Sequence, residues 1–227
     1  LFGELSSYEW MNANAIDVVQ THFPGRAPTG PGAEDHVLAE FTSLGPETAL
    51  REQVTKTLEA LLEELPGVRN IAIAQSGREI DTFWALRENI SEAQAKEGLN
   101  VKHDVACAVS QLPVFHDIAL NEIAEHGVDV RPVLFGHLGD GNLHFSVYPG
   151  DPSKALYDRV ITAIEDIVAD LGGSFSAEHG VGLSKLNSMA RRKDPVALDV
   201  MRAIKAALDP DGRMNPGKVI PAKVIPE

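Results

Sequence analysis

The spacing of apolar residues divides this chain into amphipathic helices and short strands. The stretch 46–64 begins at Pro46 and repeats leucine and valine at helical intervals, which predicts a helix that covers a sheet. The stretch 154–171 shows the same periodicity and ends at two glycines. Similar patterns predict further helices over 1–20, 81–97, 113–125 and 195–208.

Shorter apolar runs predict strands over 36–41, 70–75, 104–109 and 174–177. Two more runs, 130–138 and 142–148, flank a Gly-Asp-Gly turn and predict a hairpin. Several links between elements are too short for the crossovers of a parallel sheet. We therefore expect one α+β domain over 1–227, with an antiparallel sheet that carries helices on one face, and an extended tail from 213.

Composition and charge exclude several function classes. The 227 residues are 44% hydrophobic and 23% charged, an ordinary balance for a folded domain. A net charge of −13 repels phosphate and argues against binding to nucleic acid or to an anionic membrane. The apolar runs are shorter than the roughly 20 residues of a membrane span. The single cysteine, Cys107, excludes an internal disulfide, favours a core role over a reactive thiol, and suits a cytoplasm-like compartment.

The stretch 136–144, GHLGDGNLH, carries the richest chemistry. His137 and His144 stand on the two arms of the predicted hairpin, so they can converge on one point. Neutral imidazole is a common metal ligand, and Glu178, next to His179, could complete an N,N,O site for zinc, manganese or iron. Taken separately, His137 and His144 could each be an ordinary surface or core histidine that binds no metal. Asp140 is interpreted as a turn former.

Three motifs, GHLGDGNLH, SAEHGVGLSK and LDPDGRMNPGKV, follow one another in this chain. Their order and spacing resemble the C-terminal domain of FAD-linked oxidases of the vanillyl-alcohol oxidase type, and the resemblance covers nearly the whole chain. That group includes D-lactate, glycolate and D-2-hydroxyglutarate dehydrogenases. The segment 83–93, FWALRENISEA, with Lys-His-Asp at 102–104, is most similar to the D-2-hydroxyglutarate branch.

The resemblance implies a role for each candidate residue. It makes His179 the base near the substrate carbinol. The implied metal ligands are His137, His144 and Glu178. The implied substrate-binding residues are Arg87, Ser91, Lys102 and Ser146, and the implied flavin contacts are Asn142 and Asn215. Close relatives of the branch carry Asn where this chain has Ser146, so the contact to substrate differs there.

The expected activity is FAD-dependent oxidation of a D-2-hydroxy acid, with a dicarboxylate such as D-2-hydroxyglutarate preferred. The chain has no Gly-x-Gly-x-x-Gly after a strand, so FAD is expected mainly on an N-terminal domain that is absent from it. An electron acceptor for the reduced flavin is required. The sequence does not decide between a monomer and a homodimer. A eukaryotic relative of this type would work in the mitochondrial matrix.

Alternatives remain at this stage. The enzyme could act on D-lactate or glycolate, or the histidines could form a closed zinc site in a non-catalytic cap domain. Arg87 could pair with Glu88 or Glu92 on a helix surface, and Lys102 could be an ordinary surface residue. A metal-assisted hydrolase is disfavoured because the chain has neither a nucleophile elbow nor an HExxH pattern.

Overall fold

The computed structural model describes residues 3–25, 27–30, 32–98, 100–126, 131–148 and 153–222. Within these ranges a five-stranded antiparallel sheet has the strand order β2-β1-β4-β5-β3. The strands are β1 (Leu5–Asn12), β2 (Asp35–Phe41), β3 (Val101–Ala106), β4 (Val133–His137) and β5 (Asn142–Val147). The helices are α1 (Ala13–His22), α2 (Glu47–Glu64), α3 (Gly77–Glu88), α4 (Ile90–Glu97), α5 (Leu112–Glu125), α6 (Lys154–Asp170), α7 (Leu186–Arg192) and α8 (Pro195–Leu208).

The α+β class and the antiparallel sheet are confirmed. Successive side chains of a strand point to opposite faces, and each face of this sheet has its own apolar cluster. On one face Phe145 and Leu134 pack with Phe115 of α5 and Ile164 of α6. On the other face Phe135 belongs to a cluster that also includes residues of α1 and α4. The helices therefore extend to both faces, and the second face keeps an uncovered part beside α4.

The predicted helix over 1–20 is wrong in its first half. Residues 5–12 form β1 in the middle of the sheet, and α1 begins only at Ala13. Aromatic side chains at the alternate positions Tyr8 and Trp10 suit a strand. The helix starts where Asn12 caps it, because the Asn12 side chain accepts a hydrogen bond from the Ala15 N–H at 3.0 Å.

Two predicted strands are also wrong. The stretch 70–75 pairs with no strand among the described residues, and the Ala74 carbonyl accepts instead from the Arg51 guanidinium at 3.1 Å. Of 174–177, only Ser174 forms a β-bridge, to Ala106. The Ser174 hydroxyl then bonds to both backbone groups of Ser176, which interrupts the regular strand pairing before Ala177 N–H donates to the Asp104 carbonyl of β3 at 3.0 Å.

The predicted helices 46–64, 113–125, 154–171 and 195–208 are confirmed within a residue or two, whereas 81–97 is divided at Asn89 into α3 and α4. The hairpin is confirmed as β4 and β5. Its turn requires Gly141, which has φ +76°, and any Cβ there would lie 1.9 Å from the Cys107 carbonyl oxygen. Asp140 accepts from the Asn142 N–H at 3.0 Å, as expected of a turn former.

Some predictions lie outside the described residues. These are residue 130, where the predicted hairpin begins, and the last part of the tail, 223–227. Within the described ranges, no helix is both long enough and apolar enough to cross a membrane.

Candidate functional site

The uncovered part of the second sheet face forms a cavity of about 440 Å³ beside α3 and α4. Strands β3, β4 and β5 form its floor, and the loop 176–180 closes one side. Eight predicted site residues line it, namely Arg87, Ser91, Lys102, His137, His144, Ser146, Glu178 and His179. The sheet and the loop thus bring together residues that lie up to 92 positions apart in the sequence.

The two motif histidines converge on Glu178. His144 Nε2 lies 3.1 Å from Glu178 Oε1, and His137 Nε2 lies 3.7 Å from Glu178 Oε2. The centroids of the two imidazole rings are 6.2 Å apart. His179 stacks on His144 with a centroid distance of 5.5 Å, and its ring is largely exposed to the cavity. The predicted ligands and the predicted base therefore form one cluster.

Glu9 fixes two members of the cavity wall, and the sequence analysis did not identify it. Its carboxylate is only 3% exposed and accepts from Arg87 Nε at 2.9 Å and from His137 Nδ1 at 2.7 Å. Arg87 Nη2 lies 3.4 Å from His137 Nε2. A guanidinium only donates hydrogen bonds and a carboxylate only accepts them, so His137 carries its proton on Nδ1 and directs the Nε2 lone pair towards the cluster.

Asp104 holds the loop that carries Glu178 and His179. Its carboxylate accepts from the backbone N–H of His179 at 2.8 Å and from Lys185 Nζ at 3.2 Å. The His179 Nδ1 atom lies 3.6 Å from the same carboxylate. Lys185 also donates to the Ser176 hydroxyl at 2.7 Å. Asp104 therefore orients the candidate base and anchors its loop to β3.

Burial controls the charges of this cluster. It lowers the pKa of His144 to about 4, although the nearby Glu178 and Asp104 carboxylates oppose this change. Burial alone would raise the pKa of Asp104, but the His179 N–H and the Lys185 ammonium outweigh it and lower that pKa. His144 is thus a neutral imidazole near neutral pH, and Asp104 is a carboxylate.

The chemistry of the donor set fits a divalent metal ion. Two ligands about 2.0–2.1 Å from a tetrahedral ion lie roughly 3.3 Å apart, close to the 3.1 and 3.7 Å separations between Glu178 and the two histidines. His137 Nε2 lies 3.4 Å from Arg87 Nη2 and 3.7 Å from the Glu178 carboxylate, so a cation that bound both His137 and Glu178 would replace the Arg87 contact. The grouping whose ligand atoms all lie within 4.8 Å of one another is Asp104, His144, Glu178 and His179, and it does not include His137. Asp104 is already paired with Lys185 at 3.2 Å, which leaves His144 and Glu178 as the ligands that the two groupings share.

The two predicted flavin contacts lie outside the cavity lining. Asn142 begins β5, is 3% exposed, and its Oδ1 has no hydrogen-bond partner among the described residues. This orphaned acceptor is compatible with a contact to a cofactor. Asn215 lies in an exposed turn with φ +47°. Cys107 is buried in the core, where burial raises its pKa, so it fits the structural role.

Sequence reasoning missed Glu9, Asp104 and Lys185. The Lys-His-Asp triplet and the SAEHGVGLSK motif contained two of them, but no pattern in the sequence paired Asp104 with Lys185. Glu9 was hidden by the helical interpretation of 1–20. A strand at 5–12 would have placed it on the same face as Met11 and beside the hairpin histidine, since Glu9 pairs with His137 in the sheet.

Comparison with known proteins relates this geometry to a family. Residues 3–219 match the family described as FAD linked oxidases, C-terminal domain. A mitochondrial D-2-hydroxyglutarate dehydrogenase of Rattus norvegicus is 35% identical, over 96% of this chain and 40% of that protein. The corresponding enzyme of Arabidopsis thaliana is 34% identical, over 96% and 38%. That of Stutzerimonas stutzeri (strain A1501) is 32% identical, over 96% and 47%.

A solved structure supports the fold. The 4-ethylphenol oxidase from Gulosibacter chungangensis, in complex with isoeugenol, superposes with a TM-score of 0.57 at 15% identity. The match covers 95% of this chain and 48% of the oxidase. The chain therefore spans less than half the length of these relatives, and the likeness to the oxidase concerns the fold alone.

Proposed function

This chain belongs to the FAD linked oxidase C-terminal domain family, and we propose that it is the substrate- and metal-binding part of an FAD-dependent dehydrogenase that oxidises a D-2-hydroxy acid to the 2-oxo acid. The observation that carries the proposal is the convergence of His137, His144, Glu178 and His179 at a cavity that also presents Arg87 and Lys102. The similarity to D-2-hydroxyglutarate dehydrogenases over 96% of the chain supports the substrate class.

His137, His144 and Glu178 would hold the metal ion, and Asn142 and Asn215 are the proposed contacts to FAD. When bound, FAD supplies the hydride acceptor, and the metal lowers the pKa of the substrate hydroxyl. His179 Nε2 accepts the hydroxyl proton, while Asp104 faces the other ring nitrogen and fixes the ring. The hydride of the carbinol carbon would go to FAD, and the whole protein would need an external electron acceptor to turn over.

The cavity offers cations for two carboxylates. Glu9 occupies Arg87 Nε, which leaves the terminal nitrogens of Arg87 beside His137 to hold the carboxylate at the reacting carbon. Lys102 of β3 lies opposite Ser146 of β5 in the sheet. This pair of positions is two residues away from the pair formed by Asp104 and His144. We assign Lys102, Ser146 and Ser91 to a distal carboxylate, which makes a hydroxy-dicarboxylate the preferred substrate.

The test compares two variants of the FAD-loaded protein that contains this chain, with D-2-hydroxyglutarate and D-lactate as substrates. Arg87→Ala should lower kcat/KM for both substrates, by about 30-fold or more, because a desolvated contact to a charged group is lost. Lys102→Ala should lower it mainly for the dicarboxylate. Full activity of Arg87→Ala on both substrates would contradict the assignment of Arg87. Equal activity of the wild type on lactate and dicarboxylate would favour a D-lactate dehydrogenase instead.

A closed structural zinc site is the second candidate, and the exposure of the cluster argues against it. The side chains of Glu178 and His137 are 45% and 36% exposed, so a metal bound by the three ligands would keep a position open to the cavity. Elemental analysis with and without a chelator, together with assays of turnover and folding, distinguishes a catalytic metal site from a structural zinc site. Chelation should abolish turnover while leaving the fold intact, whereas a structural zinc would unfold the domain when removed.

The mitochondrial names of several relatives support a matrix location only if the source is a eukaryote.

A further inference from the structure

The distal part of the cavity contains a buried amide side chain. Gln94 of α4 lines the cavity together with Ser91, Lys102 and Ser146, and its side chain is 1% exposed. Its Nε2 atom has no hydrogen-bond partner among the described residues. Lys102 and Ser146 stand about 7 Å further along their strands than Asp104 and His144, at the end remote from the metal-ligand cluster.

Packing alone does not account for a glutamine at this position. The other buried residues of α4, Ile90 and Ala93, belong to an apolar cluster, and an apolar side chain at position 94 would suit the same environment. Burial of an amide N–H without a partner is unfavourable, since the group loses its hydrogen bonds to water. The amide would recover a partner if an acceptor entered the cavity.

We propose that Gln94 Nε2 donates a hydrogen bond to the distal carboxylate of the substrate and acts together with the Ser146 hydroxyl and Lys102. This inference rests on the proposed function and deepens it, because it makes Gln94 a determinant of dicarboxylate specificity. The Ser146 hydroxyl would donate from β5 and the Gln94 amide from α4.

The experiment uses the FAD- and metal-loaded protein that contains this chain and measures kcat/KM for D-2-hydroxyglutarate and D-lactate. Gln94→Leu should lower the dicarboxylate-to-lactate ratio by about 10- to 100-fold, the effect of one hydrogen bond to a charged group. The same variant should melt at an equal or higher temperature, because it removes a buried polar atom without a partner. Adding Ser146→Asn to Gln94→Leu should restore at least part of the ratio.

Gln53→Leu, on the exposed face of α2, is the matched control and should leave the ratio unchanged. An unchanged ratio in Gln94→Leu would overturn the inference. So would a lower melting temperature with equal losses on both substrates, because that pattern marks a packing role. A wild-type protein that is active on neither substrate would overturn the proposed function itself, and this inference with it.

Discussion

Replacement of Glu9 by glutamine should weaken metal binding by about 10- to 100-fold, although Glu9 is not a proposed ligand. The carboxylate accepts from His137 Nδ1 at 2.7 Å and thereby keeps the ring proton off Nε2. A glutamine amide can donate to Nδ1, and the ring proton then moves to Nε2, where it blocks the metal. The same change removes the counter-charge of Arg87, whose side chain is 11% exposed, and should cost about 1.5–3 kcal/mol of stability.

The assay is a competition titration of zinc against a chromophoric chelator, paired with urea denaturation of the metal-free protein. Glu59→Gln, on the exposed surface of α2, makes the same chemical change away from the site and serves as the control. An unchanged zinc affinity in Glu9→Gln, together with the expected loss of stability, would refute the reasoning, because Glu9 would then support only the fold.

Three further predictions concern the stability of the fold and the part of the protein that holds FAD. Gly141→Ala should destabilise the domain by roughly 3 kcal/mol or more, because the new Cβ would clash with the Cys107 carbonyl and the backbone there is left-handed. Gly139→Ala is the control, since a Cβ at that position meets no atom within 4 Å, and it should not destabilise the domain in the same urea denaturation experiment. Burial lowers the pKa of His103 to about 4 from 6.5, so the unfolded chain binds the proton first as pH falls. His103 should therefore contribute a loss of about 2 kcal/mol of stability as the pH falls from above 6.5 to 5, beside a comparable loss from His144, whose pKa is lowered in the same way. His103→Leu should remove only the His103 share, and an undiminished loss in that variant would contradict this origin. The 227-residue chain, purified alone, should carry no stoichiometric flavin, and a full flavin absorbance band would overturn the proposed division of roles.

Local patterns in the sequence predict much of this structure. The long amphipathic helices and the hairpin follow from spacing, because periodicity and turn chemistry are local properties. The strand at 5–12 was missed because short mixed runs fit more than one element. The stretch 70–75 has the composition of a strand, but strand formation needs a partner, and its backbone bonds to Arg51 instead.

In the candidate site, too, local motifs could be predicted from the sequence and long-range pairings could not. The residues that we propose as ligands and base are those that the family motifs indicate, since they lie within two short segments. The supporting residues are not predictable in this way, because their roles depend on pairings over long distances, such as Glu9 with Arg87 and Asp104 with Lys185. The interpretation of Arg87 as a surface ion pair is wrong for this reason, since its partner lies on β1 and not on its own helix.

The central claim is that this chain binds a D-2-hydroxy acid beside a flavin, and the reductive half-reaction tests it most directly. The FAD- and metal-loaded protein would be mixed with D-2-hydroxyglutarate without oxygen, and the oxidised-flavin absorbance followed by stopped flow. We expect rapid bleaching with the D enantiomer, little with the L enantiomer, and none after Glu178→Gln with His179→Ala. Persistence of the oxidised-flavin band with every D-2-hydroxy acid supplied would contradict the account.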